Sequence, residues 1–300
     1  MCRVTVIMST YNGEKYIREQ IESILNQKHC DIKLYIRDDG SKDKTVNIIQ
    51  EYTNDGKILL VQGENVGAKD SFMKAIQEAP EAEYYALADQ DDLWDEKKIF
   101  SAVRKIKEHE DGEKPVLYHS ALNLADKDGK VYAKVGTYNN IGFLNGETRA
   151  ITGCTVVFNY KLMELLKLYF PKTYPMHDAW IHNLCLAVNG KVVYDENSYI
   201  KYRQHDNNVV GGSKGLMGSI KRRLRYLGKM GKNLSSNMYK EILENYSMYM
   251  PKENIDKASR LCMYQQSIFN KLFVLFRGNY FKGRLWWKVE KICLVLLNRY

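Results

Sequence analysis

One repeated unit constrains this 300-residue chain more than anything else in it. A short apolar run ends in a polar turn, and an apolar stripe with helical spacing follows. Residues 4–8 run into Ser9-Thr10-Tyr11-Asn12-Gly13, then Ile17, Ile21, Ile24 and Leu25 fall on one helical face. Residues 33–37 lead to Asp38-Asp39-Gly40-Ser41 and a helix carrying Val46, Ile49 and Tyr52. Residues 58–61 lead to Gly63-Glu64-Asn65-Val66-Gly67 and a helix through Phe72 and Ile76. Residues 83–88 end at Asp89-Gln90-Asp91-Asp92, before the helical spacing of Ile99, Val103 and Ile106. Strands alternating with helices predict an α/β fold, a mostly parallel sheet with helices on both faces. The polar turns then share the carboxyl edge of that sheet, where open α/β sheets bind ligands.

The fourth turn is chemically unusual, with three carboxylates in four residues. Carboxylates this close repel one another without a cation, and oxygen-rich clusters suit Mg2+ or Mn2+. A solvated acidic turn, with Asp92 or Asp95 capping the next helix, is equally open on these residues alone. The first turn lacks G-x-G-x-x-G, and no Walker A signature occurs, so a phosphate-bearing ligand would have to be held through a metal. Further on, residues 116–118 and 121–124 read as strand pieces, with a hairpin turn at Asp126-Lys127-Asp128-Gly129 before Val131-Tyr132. Residues 151–158 read as a strand with a Gly near its start, and Cys154 as a small buried residue without a chemical partner. Asn139-Asn140-Ile141-Gly142-Phe143 reads as a plain surface loop or as a flexible loop near the acceptor. His177-Asp178-Ala179-Trp180 opens a helix in which Asp178 serves either as cap or as a functional carboxylate.

Taken in order, these motifs resemble the signatures of family 2 glycosyltransferases: the 4–13 strand and turn, Arg37-Asp38-Asp39-Gly40-Ser41-Lys42-Asp43, Asn65-Val66-Gly67, Asp89-Gln90-Asp91-Asp92-Leu93-Trp94, His177-Asp178-Ala179-Trp180 and Tyr202-Arg203-Gln204-His205-Asp206-Asn207-Asn208. The resemblance covers roughly the first 211 residues. D-Q-D-D and Q-H-x-x-N are most similar to the bacterial branch that builds O-antigen and capsule, rhamnosyltransferases among them.

The resemblance implies a GT-A (Rossmann-like) fold and an inverting, metal-dependent transfer from a UDP- or dTDP-sugar to a saccharide acceptor carried on a polyprenyl diphosphate. It implies Asp178 as catalytic base. Thr10 and Tyr11 would flank the nucleotide, and Asp39 would accept a hydrogen bond from the pyrimidine N3–H. Asp89 and Asp91 would hold Mn2+ or Mg2+, with Asp89 also near the ribose and Asp92 behind them or capping a helix. His205 would contact the diphosphate or the metal. Many relatives carry Glu-Asp where this chain has His177-Asp178, so His177 is expected either to orient the base or to pack half-exposed.

Charge divides the chain. Residues 214–300 carry 18 Lys and Arg against 5 Asp and Glu, whereas the first 213 residues are net −4 within a total of +9. The expected organisation is a GT-A domain over 1–213 and a basic, amphipathic helical extension over 214–300, with apolar stripes in 220–227, 268–277, 285–289 and 292–297. Basic faces interleaved with aromatics suit an anionic membrane surface, or equally helices that pack on the catalytic domain with Lys and Arg on a solvated face, and the acidic front half argues against a nucleic-acid partner. No apolar run approaches the roughly 18 residues that span a bilayer. Six scattered cysteines without C-x-x-C fit reduced thiols, and residue 1 runs directly into a strand rather than a signal peptide. The expected location is cytoplasmic, peripheral at the inner membrane face. Two rivals are a sugar-1-phosphate nucleotidyltransferase, disfavoured because residues 9–13 lack its glycine-rich basic loop, and a non-catalytic membrane adaptor, disfavoured because both functional carboxylates are present.

Overall fold

The computed structural model describes residues 1–54, 56–136, 142–144, 151–204, 233–277, 280 and 285–300. They form two compact units: 1–139, 148–170 and 176–203 in the first, and 140–147, 171–175 and 204–300 in the second. The expected boundary at 213/214 lies outside the described residues.

The first unit is built on one mixed sheet. Its early strands are β1 (Cys2–Thr10), β2 (Cys30–Asp38), β3 (Ile58–Gln62) and β4 (Tyr84–Ala88), all parallel in the order β3-β2-β1-β4. Beyond β4 come β8 (Val157–Asn159), β6 (Val116–Ala125), β9 (Lys191–Arg203) and the two-residue β5 (Leu93–Trp94). β6 and β9 are parallel, while β8 runs antiparallel to both β4 and β6. β7 (Val131–Val135) pairs antiparallel with β6 across the expected turn, where Gly129 N–H donates to the Asp126 carbonyl at 3.0 Å.

Side-chain alternation sorts the helices. Val4, Val6 and Met8 of β1 share a buried layer with Ile17, Ile21 and Ile24 of α1 (Ile17–Leu25), Ile49 of α2 (Thr45–Gln50) and Ile99, Val103 and Ile106 of α4 (Lys98–Lys107). The opposite layer is carried by α3 (Ala68–Glu78), which packs on β1, β2, α5 (Tyr160–Leu168) and α6 (His177–Ala187). Burial of both faces explains why β4 reads as an unbroken apolar run.

Three local expectations change. β6 is one continuous strand rather than two pieces. Residues 151–158 are not a single strand: Thr155 donates through both N–H and Oγ1 to the Thr152 carbonyl, closing a 3-10 turn at Gly153–Thr155 before β8. Between the acidic turn and α4 the chain adds β5, which pairs with β9, far along the sequence.

The second unit contains α7 (Leu234–Tyr246), α8 (Lys252–Cys262), α9 (Ile268–Leu272), a π-helical turn at Phe273–Arg277 and α10 (Leu285–Leu296). Met238, Tyr239, Ile242 and Tyr246 of α7 are buried with Ala258 and Leu261 of α8. The chain end closes this unit: Ser236 N–H donates to the Tyr300 carbonyl at 3.0 Å. Among the described residues no helix is long and apolar enough to cross a membrane.

Candidate active site

The turns after β1, β2, β3 and β4 meet at the carboxyl edge of the parallel strands, and hydrogen bonds knit them together. Thr10, the last residue of β1, is buried, and its hydroxyl donates to Asp38 Oδ1 at 3.0 Å. Tyr11 is 43% exposed. Its backbone is gripped from the acidic turn: Tyr11 N–H donates to Gln90 Oε1 at 2.8 Å, and Gln90 Nε2 donates to the Tyr11 carbonyl at 3.1 Å. A Cβ on Gly13 would press on the Gln90 carboxamide and displace it from this grip.

Asp39 is nearly fully buried. It accepts from Arg37 Nη1 at 2.6 Å, from Gly67 N–H at 2.8 Å and from Val66 N–H at 3.1 Å. It therefore ties the end of β2 to the turn after β3, where Gly67 has a left-handed φ of 83°. Val66 N–H also reaches Asp39 Oδ2 at 3.2 Å, so it is shared between the two oxygens and each of them already faces two donors.

The acidic turn is arranged differently. Asp92 is fully buried. One oxygen accepts from Arg203 N–H at 3.2 Å, and Oδ2 has no partner. It does not cap α4, which starts at Lys98; Asp95 instead accepts from Lys97 N–H at 2.9 Å. Asp89, Asp92 and Cys154 bring ligand atoms within 4.8 Å of one another. The Cys154 thiol lies against both carboxylates. Burial, followed by the charges of Asp91 and Asp178, pushes the Asp89 carboxyl up to about 7. Burial, followed by Asp89 and Asp91, pushes Asp92 well above the ordinary carboxylate range. Beneath them Lys98 is buried, with Nζ 3.4 Å from the centre of the Trp94 ring and no hydrogen-bond partner; burial lowers its amine to about 7.

Asp178 lies in the first turn of α6, whose cap is Met176. Its carboxylate accepts from Ala179 N–H at 2.7 Å and from Gly153 N–H, and burial raises it to about 6. The Gly153–Thr155 turn thus touches both groups, with a backbone N–H toward Asp178 and a thiol toward the elbow at Asp89–Asp92. His177 is not half-exposed. It is 4% exposed, stacks on Phe72 with ring centres 4.1 Å apart, and burial lowers it to about 3. Neither ring nitrogen finds a hydrogen-bond partner. It is a neutral packing group, and a Cβ on Gly153 would sit 2.6 Å from its Nε2.

Asp39, Asp89, Asp91, Thr10, Tyr11 and Asp178 all belong to the first unit, and Asp89 lies within electrostatic range of Asp91 and Asp178. His205 lies outside the described residues, as do residues 206–211, 139–141 and the stripe at 220–227. Arg203, at the end of β9, is anchored: Nη2 donates to Glu19 at 2.6 Å, Nη1 donates to the Lys127 carbonyl at 3.1 Å, and its guanidinium lies 4.4 Å from the Tyr16 ring centre. Sequence reasoning missed Gln90, Cys154, Lys98 and Arg203 as parts of the site. For Lys98 alone a signal existed, a lysine falling on the apolar stripe of a helix.

The elbow fits a divalent cation on its own chemistry: a buried carboxylate oxygen is unmatched, and burial together with mutual repulsion raises the neighbouring carboxyls.

Comparison with known proteins bears on this arrangement. The family model described as glycosyl transferase family 2 matches residues 5–166. A dTDP-rhamnosyl transferase of Shigella flexneri is 29% identical over 234 residues, 72% of this chain and 77% of that protein. The chain spans 64% and 37% of the length of two further curated relatives. Among solved structures, S. aureus TarS 1–349 in complex with UDP-GlcNAc aligns with a TM-score of 0.59 at 16% identity, over 100% of this chain and 82% of that one. A mannosyltransferase from Pyrobaculum calidifontis in complex with GDP-Man and Mn2+ aligns with a TM-score of 0.54 at 15% identity, over 100% and 81%.

Proposed function

The chain belongs to glycosyl transferase family 2, and on that premise we propose an inverting transfer of a sugar from a UDP- or dTDP-sugar to a saccharide hydroxyl, the acceptor being carried on a polyprenyl diphosphate. The setting is bacterial surface polysaccharide synthesis. The observation that carries this reading is the pairing of two unlike acid sites. A carboxylate raised to about 6, Asp178, lies within electrostatic range of a crowded acidic elbow, and Cys154 of the Gly153–Thr155 turn sits among the elbow's carboxylates. The dTDP donor of the Shigella relative favours a deoxythymidine nucleotide here.

Asp178 takes the proton of the acceptor hydroxyl while the new C1–O bond forms and the bond to the nucleoside diphosphate breaks. A carboxylate titrating near 6 is ionised at neutral pH and still basic enough for that task. Asp89 and Asp91 hold Mn2+ or Mg2+, with Asp92 behind them, and His205 adds a contact to metal or diphosphate. Bound there, the ion would neutralise the charge of the leaving diphosphate. Mn2+ in the complex of the Pyrobaculum enzyme, which has the same fold, supports an ion of this class. Asp39 accepts from the pyrimidine N3–H, the Val66 N–H that its two oxygens share leaving one of them to that donor, and Thr10 and Tyr11 wall the nucleotide through the backbone that Gln90 grips.

Residues 214–300, net +13, hold the protein peripherally on the inner, anionic face of the cell membrane. Ile268, Phe269, Leu272 and Phe276 are 61%, 79%, 44% and 77% exposed, as an interfacial helix requires. Sedimentation with anionic vesicles is expected to decline in a Phe269→Ser, Phe276→Ser double variant; equal sedimentation of both proteins would remove this surface from the account.

A panel of UDP- and dTDP-sugars, with and without Mn2+, tests the activity by release of nucleoside diphosphate. A saturating signal with one donor, lost on chelation, is expected. No release from any pyrimidine nucleotide-sugar would refute the reading.

A further inference from the structure

At the amino edge of the sheet, the end opposite the candidate site, Cys2 opens β1 and Cys30 opens β2. The parallel register sets them directly beside each other, and their sulfurs are 3.1 Å apart. Neighbouring strands lie about 4.8 Å apart, inside the roughly 4.4–6.8 Å between Cα atoms that a disulfide spans. Both side chains face the same layer: Cys30 belongs to the buried core beneath α1 and α4, and Cys2 packs against it. The other thiols have different surroundings. Cys154 faces carboxylates, while Cys185 and Cys262 lie 3.8 Å from the carbonyls of Lys191 and Ser236.

We propose that Cys2 and Cys30 form a prearranged dithiol site that closes reversibly to a disulfide by exchange with a low-molecular-weight disulfide such as oxidised glutathione. The two residues divide the work by exposure. Cys2 is partly exposed and Cys30 is buried. The Cys2 thiolate attacks one sulfur of the small disulfide, forming a mixed disulfide and expelling one thiolate. Cys30 then gives its proton to solvent and attacks the Cys2 sulfur, expelling the second thiolate. Two protein thiols are oxidised and one small disulfide is reduced to two thiols, so electrons balance. Burial raises the Cys30 thiol to about 12, which disfavours it as the thiol that begins the exchange, while its sulfur, 3.1 Å from that of Cys2, is placed to resolve the mixed disulfide. Under a reducing glutathione pool the same exchange runs backwards and returns the bridge to two thiols. The site depends on nothing assigned to the opposite edge, so it stands or falls independently of the proposed transfer.

The test treats the full chain with oxidised glutathione and reads its mass and peptides. The expected product is lighter by two hydrogens, links the Cys2 and Cys30 peptides, and reverts with reduced glutathione. In Cys30→Ser the reaction is expected to stop at a glutathione adduct on Cys2. In Cys2→Ser, Cys30 is expected to stay unmodified because the partly exposed entry thiol is gone. A stable glutathione adduct on Cys2 of the unmutated chain, or two thiols that remain free to alkylation after treatment, would overturn the proposal.

Discussion

Two turns of this molecule begin alike in sequence and end in opposite states. The turn after β2 carries Asp38 and Asp39, and donors face both. Asp38 accepts from Thr10 Oγ1 and from the N–H groups of Gly40 and Ser41; Asp39 accepts from Arg37, Val66 and Gly67. The turn after β4 carries Asp89, Asp91 and Asp92, and there carboxyls face one another and a thiol, with Asp92 Oδ2 unmatched. Adjacent aspartates at a strand end are therefore not one kind of feature. Matched by donors, they brace loops. Left facing each other, they raise each other's proton affinity and form a place for a cation.

The largest expected effect lies at the acid outside both turns. Asp178→Asn is expected to lower kcat by roughly a hundred- to ten-thousand-fold while nucleotide affinity stays within a factor of a few, measured by turnover and titration calorimetry. In the unsubstituted enzyme at saturating Mn2+, the rate should rise with pH up to about 6 and then level. Asp178 holds its proton below that value and cannot accept another. A rate flat from pH 5 to 8 would remove Asp178 from that role.

Next comes the direct contrast between the turns. Asp39→Asn leaves Arg37 buried without its counter-charge and is expected to cost about 3–5 kcal/mol of stability by denaturant unfolding. Asp92→Asn removes a charge that the fold already disfavours. In the metal-free protein it should shift stability by no more than about 1 kcal/mol, yet weaken Mn2+ binding. Equal destabilisation by both substitutions would erase the distinction drawn here. The smallest effect is at the link between the elbow and the first turn. Gln90→Ala removes two hydrogen bonds to the Tyr11 backbone, each worth about 1 kcal/mol. KM for the donor should rise about tenfold, with a smaller change in kcat.

The parallel half of the sheet was legible because each strand is an apolar run stopped by a polar turn, a local signal. The family motifs made the elbow and the His177-Asp178 helix visible as well. What escaped depends on contacts distant in sequence. β5 forms by pairing with β9, the 3-10 turn at Gly153–Thr155 interrupts a run with good strand composition, and His177 is buried by Phe72 of another helix. Cys154 lacked a partner in sequence and finds two carboxylates in space. Gln90 looked like a spacer between aspartates, and only the fold brings Tyr11 to it.

Calorimetric titration of dTDP and UDP into the full chain, with Mn2+ and then with chelator, tests the elbow most directly. One nucleotide should bind at least about tenfold tighter with Mn2+, as a cation offsetting the charge of the diphosphate would require. Equal affinity after chelation would contradict the assignment of the β4 turn as the cation's seat.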